Sequence, residues 1–274
     1  MINPAKTEIL SELHISYSQI FTYLACSLKY QFKYVLGRPA EQTGLALPFG
    51  SALHKALERY YQSCAQGRLE KLTPLQDLFE EVLTRQLIEK QDLIVFGKTV
   101  PDADSAIVMG RAMLEVFYQS IDLTGWRVID VELPLSAQLY TDAGQTTEFK
   151  LVGFIDLLLE DPDGNLVVVD HKTAARPKSL ADVDADLQMT TYAYLLASNR
   201  YVFPTATVQC RYDVLRKLKA PKLEHYHTVR GAGDRKRLAK IAVQVLRGIE
   251  AGVFVPNRGW MCGDCEYANA CKSW

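Results

Sequence analysis

The sequence predicts a mixed α/β protein in which helices cover both faces of one central sheet. Three strand-like segments at 126–139, 147–160 and 166–173 follow one another directly, and two more at 205–215 and 224–229 come after a helical stretch. Runs such as 151–159 and 166–169 are almost wholly apolar, as in strands buried on both faces. This order of elements indicates a mixed sheet with helices on its faces.

The helices are predicted where apolar residues recur at helical spacing between a polar start and a glycine or proline stop. A first helix is expected between Ser16 and Gly37, and acids at its start indicate another helix from Asp182. We interpret the chain as a single domain, 1–274, with a helical insertion at 66–124. The remaining helical segments are 52–65, after a cap at Gly50-Ser51, and 234–251.

Composition is typical of a globular protein and excludes a membrane-spanning chain. Of 274 residues, 48% are hydrophobic and 23% are charged. No apolar stretch approaches the roughly 20 residues that span a bilayer. The first residues lack a signal-peptide core, so a cytoplasmic location is expected.

Charge is distributed unevenly although the net charge is only −1. Segment 206–240 holds ten Lys or Arg residues against three acids. Such a segment suits a polyanion, and a solvated charged face is the alternative. Aromatic residues of this region could stack nucleic-acid bases or belong to the sheet core: Tyr201, Phe203, Tyr212 and Tyr226.

The hairpin predicted at 147–173 carries charges where hydrocarbon is expected. Asp161–Asn165 has turn composition and separates two apolar strands. With this five-residue loop, Asp156 faces Asp170 across the ladder, with Cβ atoms about 4.5–5.5 Å apart. Lys172 lies two residues beyond Asp170 and therefore on the same face.

Two buried carboxylates that face each other repel, so either one is protonated or a cation lies between them. A divalent metal ion bound by carboxylate oxygens meets this need, and Lys172 would complete a hydrolytic site. The alternative is a structural ion pair in which Lys172 bridges one aspartate at the end of the sheet. The hairpin alone leaves both interpretations open.

Four cysteines are candidates for a metal site that fixes the C-terminal tail, 256–274. Cys262, Cys265 and Cys271 lie within ten residues of a tail too short for its own core. Cys26 is the best fourth ligand, because its apolar neighbours predict packing into the body of the protein. Four thiolates suit zinc or an iron–sulphur cluster, and this spacing, unlike that of a zinc ribbon, favours iron–sulphur without excluding zinc.

Four motifs follow one another along the chain: Gly50-Ser51-Ala52-Leu53-His54, Gly153-Phe154-Ile155-Asp156, Asp170-His171-Lys172-Thr173 and Gln188-x3-Tyr192. Together and in this order they resemble the PD-(D/E)XK nuclease superfamily, specifically its RecB-like branch. The cysteine arrangement is similar to that of its iron–sulphur-containing members, which include the CRISPR-associated adaptation exonuclease and AddB-type nuclease domains. The resemblance implies a restriction-endonuclease-like core and covers most of the chain outside 66–124.

The resemblance implies roles for the metal-binding residues. Asp156 and Asp170 would coordinate Mg²⁺ or Mn²⁺ together with the backbone carbonyl of His171. His54 would provide a further metal contact, whereas a lone helical histidine is otherwise a satisfied core or surface residue. Lys172 would position the attacking water and stabilise the developing negative charge.

Three helical residues carry weaker expectations. Gln188 and Tyr192 lie one turn apart and would orient Lys172 or the scissile phosphate, with an amphipathic helix edge as the alternative. Glu58 lies one turn after His54 and is either a metal contact or an exposed helical partner.

The expected function is a metal-dependent DNA nuclease that acts on single strands or ends. CRISPR adaptation and recombinational repair are the expected pathways, with a CRISPR integrase or a repair helicase complex as partner. One rival is a catalytically silent DNA-binding subunit, which the intact Asp156, Asp170 and Lys172 disfavour. A second is a zinc-stapled protein-interaction module whose charges are structural.

Overall fold

The computed structural model describes residues 9–141 and 143–274. The strands are β1 (His14–Ser16), β2 (Thr43–Gly44), β3 (Ile94–Val95), β4 (Arg127–Tyr140), β5 (Thr146–Glu160), β6 (Leu166–Ala174), β7 (Val208–Arg216) and β8 (Lys222–Arg230). The α-helices are α1 (Tyr17–Ala25), α2 (Ser27–Tyr30), α3 (Ala46–Ala65), α4 (Leu72–Glu89), α5 (Ala103–Ser120), α6 (Leu180–Ala185), α7 (Leu187–Ser198), α8 (Ala232–Glu250) and α9 (Ala268–Lys272). A π-helical turn at Gln31–Val35 follows α2, and a 3-10 turn at Trp260–Cys262 precedes α9.

The main sheet is mixed, as the sequence predicts. Its order is β1-β5-β6-β7-β8, and β4 runs along the other edge of β5. The strands β4, β5 and β6 pair antiparallel in sequence, β6 and β7 pair parallel, and β7 and β8 form an antiparallel hairpin. The helices α6 and α7 form the crossover that a parallel β6–β7 pair requires.

The strand β5 organises the sheet because it has three neighbours. Its edge opposite β4 pairs with β1 at residues 150–152 and with β6 at residues 157–160. The predicted hairpin register is confirmed, since Leu157 pairs with Val169. The β5–β6 ladder ends at that pair, one position before Asp156 and Asp170, so the two aspartates are next in register but do not pair through their backbones.

Two hydrophobic cores lie on opposite faces of the sheet. One packs α1, α7 and α8 against residues such as Leu158 and Val168. The other packs α3, α4 and α5 against Leu157 and Val169. These two residues adjoin Leu158 and Val168 in the strands, and successive strand residues face opposite sides of a sheet. The helices α4 and α5 approach closely at Gly110, where an added Cβ would collide with the ring of Phe79.

The predicted first helix is interrupted. The helix α1 begins as expected, because Ser16 and Gln19 form a capping box. It ends at Ala25, and Cys26 has an extended backbone, with φ −164° and ψ 104°, before α2 begins. Two backbone amides close to the C-terminal tail donate to side chains at this break. The Val255 amide donates to the Ser27 hydroxyl at 2.8 Å, and the Asn257 amide donates to the Cys26 Sγ atom at 3.5 Å. The break therefore presents Cys26 to the C-terminal tail.

Two further helix boundaries differ from the sequence prediction. The helix α3 begins at Ala46, so Gly50 lies inside its second turn and is not part of a cap. The helix predicted from Asp182 is in fact two helices, because the Asp186 carboxylate accepts a hydrogen bond of 2.8 Å from the Gln188 amide and caps α7. In the described residues, no helix is both long and apolar enough to cross a membrane.

Candidate active site and metal centre

Asp156 lies where β5 and β6 separate. Its Oδ2 atom accepts a hydrogen bond of 2.8 Å from the backbone amide of His171, which would otherwise lack a ladder partner. The same oxygen lies 3.3 Å from Nδ1 of His54 on α3. The end of the ladder therefore places a carboxylate of β5 between β6 and the imidazole of a facing helix.

Asp170 is fully buried and has partners on both oxygens. Its Oδ2 atom lies 2.6 Å from Nζ of Lys172. Its Oδ1 atom accepts hydrogen bonds from Nε2 of Gln188 at 2.8 Å and from the hydroxyl of Tyr192 at 3.3 Å. Gln188 and Tyr192, which were expected to orient Lys172 or the scissile phosphate, therefore both contact Asp170.

Gly153 permits the helix that carries these donors to approach the sheet. A Cβ atom at Gly153 would lie 2.8 Å from Cδ1 of Leu195 and 3.5 Å from the ring of Tyr192. Since real Cβ atoms essentially never approach that closely, the buried Leu195 side chain of α7 would have to move. The glycine in the Gly153–Asp156 motif therefore leaves room for the side chains with which α7 packs on β5.

Burial and mutual charge set the protonation of the site. Burial, and then the Asp170 carboxylate, raise the pKa of Asp156 well above its ordinary value. Burial opposes the charged form of Lys172, but Asp170 and Asp156 outweigh it and raise the pKa of the ammonium. Burial lowers the pKa of His54, so its imidazole is neutral and able to ligate a metal. A cation near Asp156 would relieve the unfavourable burial of its charge.

We expect Asp156→Asn to raise the melting temperature of the metal-free protein at pH 7 by at least about 2 °C. For a chain of this size, each kcal/mol of added stability raises the melting temperature by roughly 2–4 °C. Unfolded Asp156 ionises near pH 4, whereas the folded residue, with its raised pKa, keeps its proton to higher pH. Stability is therefore lost as the pH rises above about 4, and the variant avoids this loss. Thermal unfolding in EDTA between pH 4 and 8 measures the gain, which should vanish near pH 4.

Asp161→Asn is the matched control for this experiment. Hydrogen bonds from Asn165 lower the pKa of the partly exposed Asp161, the opposite direction from Asp156. Its substitution should give no gain that increases with pH. An equal gain for Asp156→Asn at every pH would contradict the raised pKa.

Glu132 is a site residue that sequence reasoning missed. Ligand atoms of His54, Glu132 and Asp156 all lie within 4.8 Å of one another. Glu132 lies on β4 between residues that pair with Leu157 and Ile155, hence opposite Asp156. Its φ of +56° is rare for a residue with a side chain and marks a local distortion of the strand. Imidazole and carboxylate donors of this kind fit a hard divalent cation such as Mg²⁺ or Mn²⁺.

The His171 ring lies edge-on to the His54 ring, with centroids 6.2 Å apart, but it is not one of the grouped ligands among the described residues. Its ring stacks on Tyr61, with centroids 5.3 Å apart and an interplanar angle of 12°. Burial lowers the pKa of His171 to about 3, so it is neutral. The backbone amide of His171 contacts Asp156, and a metal contact of its carbonyl remains a prediction of the resemblance.

Glu58 lines the groove that opens onto this site, but its carboxylate is not grouped with the ligand atoms of His54, Glu132 and Asp156. Its carboxylate binds Lys55 at 2.7 and 2.8 Å and Gln62 at 3.0 Å. Of the two alternatives for Glu58, the structure supports the helical partner.

An open groove of about 870 Å³ gives access to the site. Residues of α3, α4 and the sheet line it. They include Gly50, His54, Arg85, Glu132, Asp156 and Lys172.

Much of the predicted basic segment, 206–240, is committed to the fold. Arg211 pairs with Asp213 at 2.8 Å, and Arg216 pairs with Glu224 at 2.8 Å. Buried Arg230 donates to the backbone carbonyls of Val183 in α6 and of Asp186 just after it. Buried Arg235 donates to the Pro204 carbonyl. Since these four arginines have internal partners, they are not available to bind a polyanion. The exposed cations of the segment are Lys219, Lys222, Lys236, Arg237 and Lys240.

Of the four candidate base-stacking aromatics, two have partners within the fold and two are exposed. Tyr212 is fully buried in the core. The Tyr226 hydroxyl donates to Glu224 at 2.7 Å and accepts from the Lys178 amide at 3.3 Å. Phe203 is 82% exposed and Tyr201 is 39% exposed, so these two keep an available ring face.

The four predicted cysteine ligands line one small cavity of about 90 Å³ between the tail and the first helices. Burial, and then the thiols of Cys26, Cys265 and Cys262, raise the pKa of Cys271. The backbone amide of Gly259 donates to Sγ of Cys262 at 3.4 Å. Cys64 and Cys210 lie elsewhere, in the two cores. Four cysteines around one cavity, with amide donors to two of the sulphurs, are a donor set that suits a cysteine-ligated metal group.

The fold and the site together are typical of nucleases that use divalent metal ions. A family model described as the PD-(D/E)XK nuclease superfamily matches residues 14–272. The chain therefore belongs to the PD-(D/E)XK nuclease superfamily.

Comparison with solved structures confirms the predicted fold class. The chain is similar to the crystal structure of a candidate exonuclease from Eubacterium rectale, with a TM-score of 0.59 and 12% identity over 100% of this chain and 92% of that chain. The structure of a protein named SSO0001 aligns over 93% of this chain and 97% of that chain, at 14% identity and a TM-score of 0.35. Among curated proteins no match was found.

Proposed function

We propose that this protein is a metal-dependent DNA nuclease that hydrolyses phosphodiester bonds in single strands or at ends. The observation that carries the proposal is the convergence of Asp156, Lys172 and His54 at the open groove of a PD-(D/E)XK fold, with the buried Asp170 bound to Lys172. An exonuclease is favoured over an endonuclease because a similar structure is described as a candidate exonuclease.

The metal ligands in this proposal are the carboxylates of Asp156 and Asp170, the imidazole of His54 and the backbone carbonyl of His171. Glu132 adds a fifth donor because its carboxylate lies within 4.8 Å of the ligand atoms of His54 and Asp156. A bound Mg²⁺ or Mn²⁺ lowers the pKa of a coordinated water and offsets the charge on the phosphate.

Lys172 supplies the fixed positive charge beside the reacting phosphate. Its ammonium lies 2.6 Å from Asp170 and remains charged, since the two aspartates raise its pKa. From this position it orients the attacking water and stabilises the charge that develops on the phosphate oxygens. Gln188 and Tyr192 act as positioning residues, because their hydrogen bonds hold Asp170 in one rotamer.

The four cysteines hold a [4Fe–4S] cluster in this proposal, with zinc as the alternative occupant. Amide donors to Cys26 and Cys262 support it, since hydrogen bonds to the ligand sulphurs are a regular feature of such clusters. Its role is structural, because it joins the tail to the break between α1 and α2.

The pathway proposal rests on the sequence resemblance alone. It places the protein in the cytoplasm, in CRISPR adaptation or recombinational repair, together with a CRISPR integrase or a repair helicase complex. The RecB-like branch is the family context for both pathways.

Cleavage of end-labelled DNA tests the proposed activity against the catalytically silent alternative. We expect the wild type to degrade single-stranded DNA in Mg²⁺ or Mn²⁺, with loss of activity in EDTA and recovery when the metal is returned. Labels at either end report polarity, and a circular single strand separates exonuclease from endonuclease action. A pure, folded wild type that binds the strand but leaves it intact in both metals would support the silent DNA-binding subunit.

A further inference from the structure

A second cavity, of about 310 Å³, lies next to the catalytic groove and has no role in the chemistry described above. Its volume is at the lower end of the roughly 300–1,000 Å³ typical of small-molecule sites. The start of α3, the loop after β3, the end of β7 and the loop between Cys262 and Cys265 form its walls. Its lining includes Ala46, Phe49, Phe96, Lys98, Lys217 and Asp264.

Lys217 is the distinctive residue of this second cavity. Its backbone amide donates to the Ala174 carbonyl at 2.9 Å, which fixes it just beyond the paired ends of β6 and β7. Its Nζ atom lies 4.2 Å from the centre of the Phe49 ring. Among the described residues, no carboxylate lies within 4.0 Å of this ammonium, and burial lowers the pKa of Lys217 to about 8.

A cation held away from water without a carboxylate partner is unfavourable unless an anion joins it. The ring of Phe49 compensates only part of that cost. Lys98 adds a second, exposed cation to the walls, and Asp264 adds one exposed carboxylate. The cavity therefore has an excess of positive charge. Lys217 is the least solvated of these charged residues, so an anionic ligand would stabilise it most.

Phe96 gives the same cavity an aromatic surface. It lies just after β3, and its side chain is 36% exposed. A partly exposed ring beside an unpaired cation is the combination that binds a nucleotide, with the base stacked on the ring and the phosphate on the cation.

The second cavity and the catalytic groove are adjacent. Ala46 lines both, and Thr173 of the groove directly precedes Ala174, whose carbonyl accepts the Lys217 amide. Ala46 and His54 lie eight residues apart on α3, about 12 Å along the helix axis. A strand cleaved at the metal ligands would therefore reach the second cavity within a few nucleotides.

We propose that this cavity is a nucleotide-binding subsite that holds a single strand beside the cleavage point, with a phosphate on Lys217 and a base on Phe96. The proposal rests on the proposed nuclease function and names the path of its substrate. Because the loop between Cys262 and Cys265 forms one wall, the cysteine-bound tail also shapes the subsite.

Binding of a fluorescein-labelled oligothymidylate of about 12 nucleotides, measured by anisotropy in EDTA, tests the subsite. We expect Lys217→Met to reduce the slope of log affinity against log salt by about 0.7, the value for one phosphate contact on a single strand. Phe96→Ala should weaken binding at least about fivefold. Methionine keeps the apolar stem over Phe49, so this variant should fold.

Lys71→Met is the matched control, because Lys71 is exposed on the helical insertion and lines neither cavity. It should leave the slope unchanged. An unchanged slope and affinity for both Lys217→Met and Phe96→Ala, or no binding by the wild type, would overturn the subsite even if the protein cleaves DNA. Because binding is measured without metal, loss of slope in Lys217→Met supports the subsite even if no cleavage is found.

Discussion

Asp170→Asn should reduce the hydrolysis of single-stranded DNA in Mn²⁺ by at least about a hundredfold, as loss of one preorganised charge at a reacting centre does. The substitution removes a proposed metal ligand while keeping an oxygen that can accept the hydrogen bonds of Gln188 and Tyr192. Lys172 loses its nearest partner, but its side chain is about one third exposed and retains attraction to Asp156. The variant is therefore expected to fold, and initial cleavage rates measure the effect.

Lys172→Met should cause a similar loss of activity for a different reason and should also destabilise the protein. The side chain of Asp170 is only 1% exposed, so removal of Lys172 leaves a buried carboxylate without its cation. Breaking a buried pair from one side costs about 3–5 kcal/mol. Activity alone would then not separate lost chemistry from lost structure.

The double variant Asp170→Asn with Lys172→Met separates these two causes. It removes both charges together, so its melting temperature should return towards that of the wild type, whereas its activity should remain absent. A double variant with restored stability and restored cleavage would show that the pair is only structural. That outcome would favour the ion-pair interpretation over the proposed catalytic site.

The central hairpin could be predicted from sequence because its determinants are local. A five-residue turn of Asp, Pro, Gly and Asn residues between two apolar runs allows one register, and the structure has it. The same register placed Asp156 and Asp170 side by side. That the ladder stops there could not be predicted, because the buried carboxylates and β1, far away in the chain, together decide where β5 and β6 separate.

Glu132 was missed because its role depends on contacts distant in sequence. Within its own segment it is one acid among alternating strand residues, with no motif around it. Only the pairing of β4 with β5 brings it opposite Asp156. Its left-handed backbone could not be predicted either, because a glutamate in the sequence gives no indication of a positive φ. One signal could have identified Glu132: it is an acid in the strand that directly precedes, and therefore is expected to pair with, the strand of Asp156.

The arginines of segment 206–240 show the limit of counting charges. A run of cations predicts a surface for a polyanion, but arginine also caps carbonyl groups and pairs with buried acids. Arg230 and Arg235 lie in such positions, and each donates to backbone carbonyls of other elements. Sequence alone gives the number of cations, whereas the fold decides which remain available.

The largest expected change in stability concerns the cysteine site. We expect the protein, purified without oxygen, to be brown and to carry about four irons per chain, as a [4Fe–4S] cluster requires. Cys271→Ser should lose this colour and iron. Colourless protein with one zinc per chain would instead identify the alternative occupant.

The loss of stability follows from the length of chain that the cluster closes. A link between residues 26 and 262 closes almost the whole molecule into a loop, and cross-links of this length restrict the unfolded chain by about 5 kcal/mol in the chain-entropy model. At roughly 2–4 °C per kcal/mol, the melting temperature of Cys271→Ser should fall by about 10–20 °C. Cys64→Ser is the matched control, since Cys64 is partly buried far from this cavity and should keep both iron and stability.

Limited proteolysis shows which part of the tail depends on the cluster. The Tyr23 hydroxyl donates to the Val253 carbonyl at 2.8 Å, and Asn257 Nδ2 donates to the Ala25 carbonyl at 3.0 Å, so residues 253–257 stay attached without any metal. Beyond them, Glu41 caps α9 through the amides of Asn269 and Ala270, an exposed contact that a released tail can break. We therefore expect new cleavage after Arg258 in Cys271→Ser but not in Cys64→Ser. Equal resistance of the two variants would mean that protein contacts alone hold the tail, and that the four thiols do not staple it.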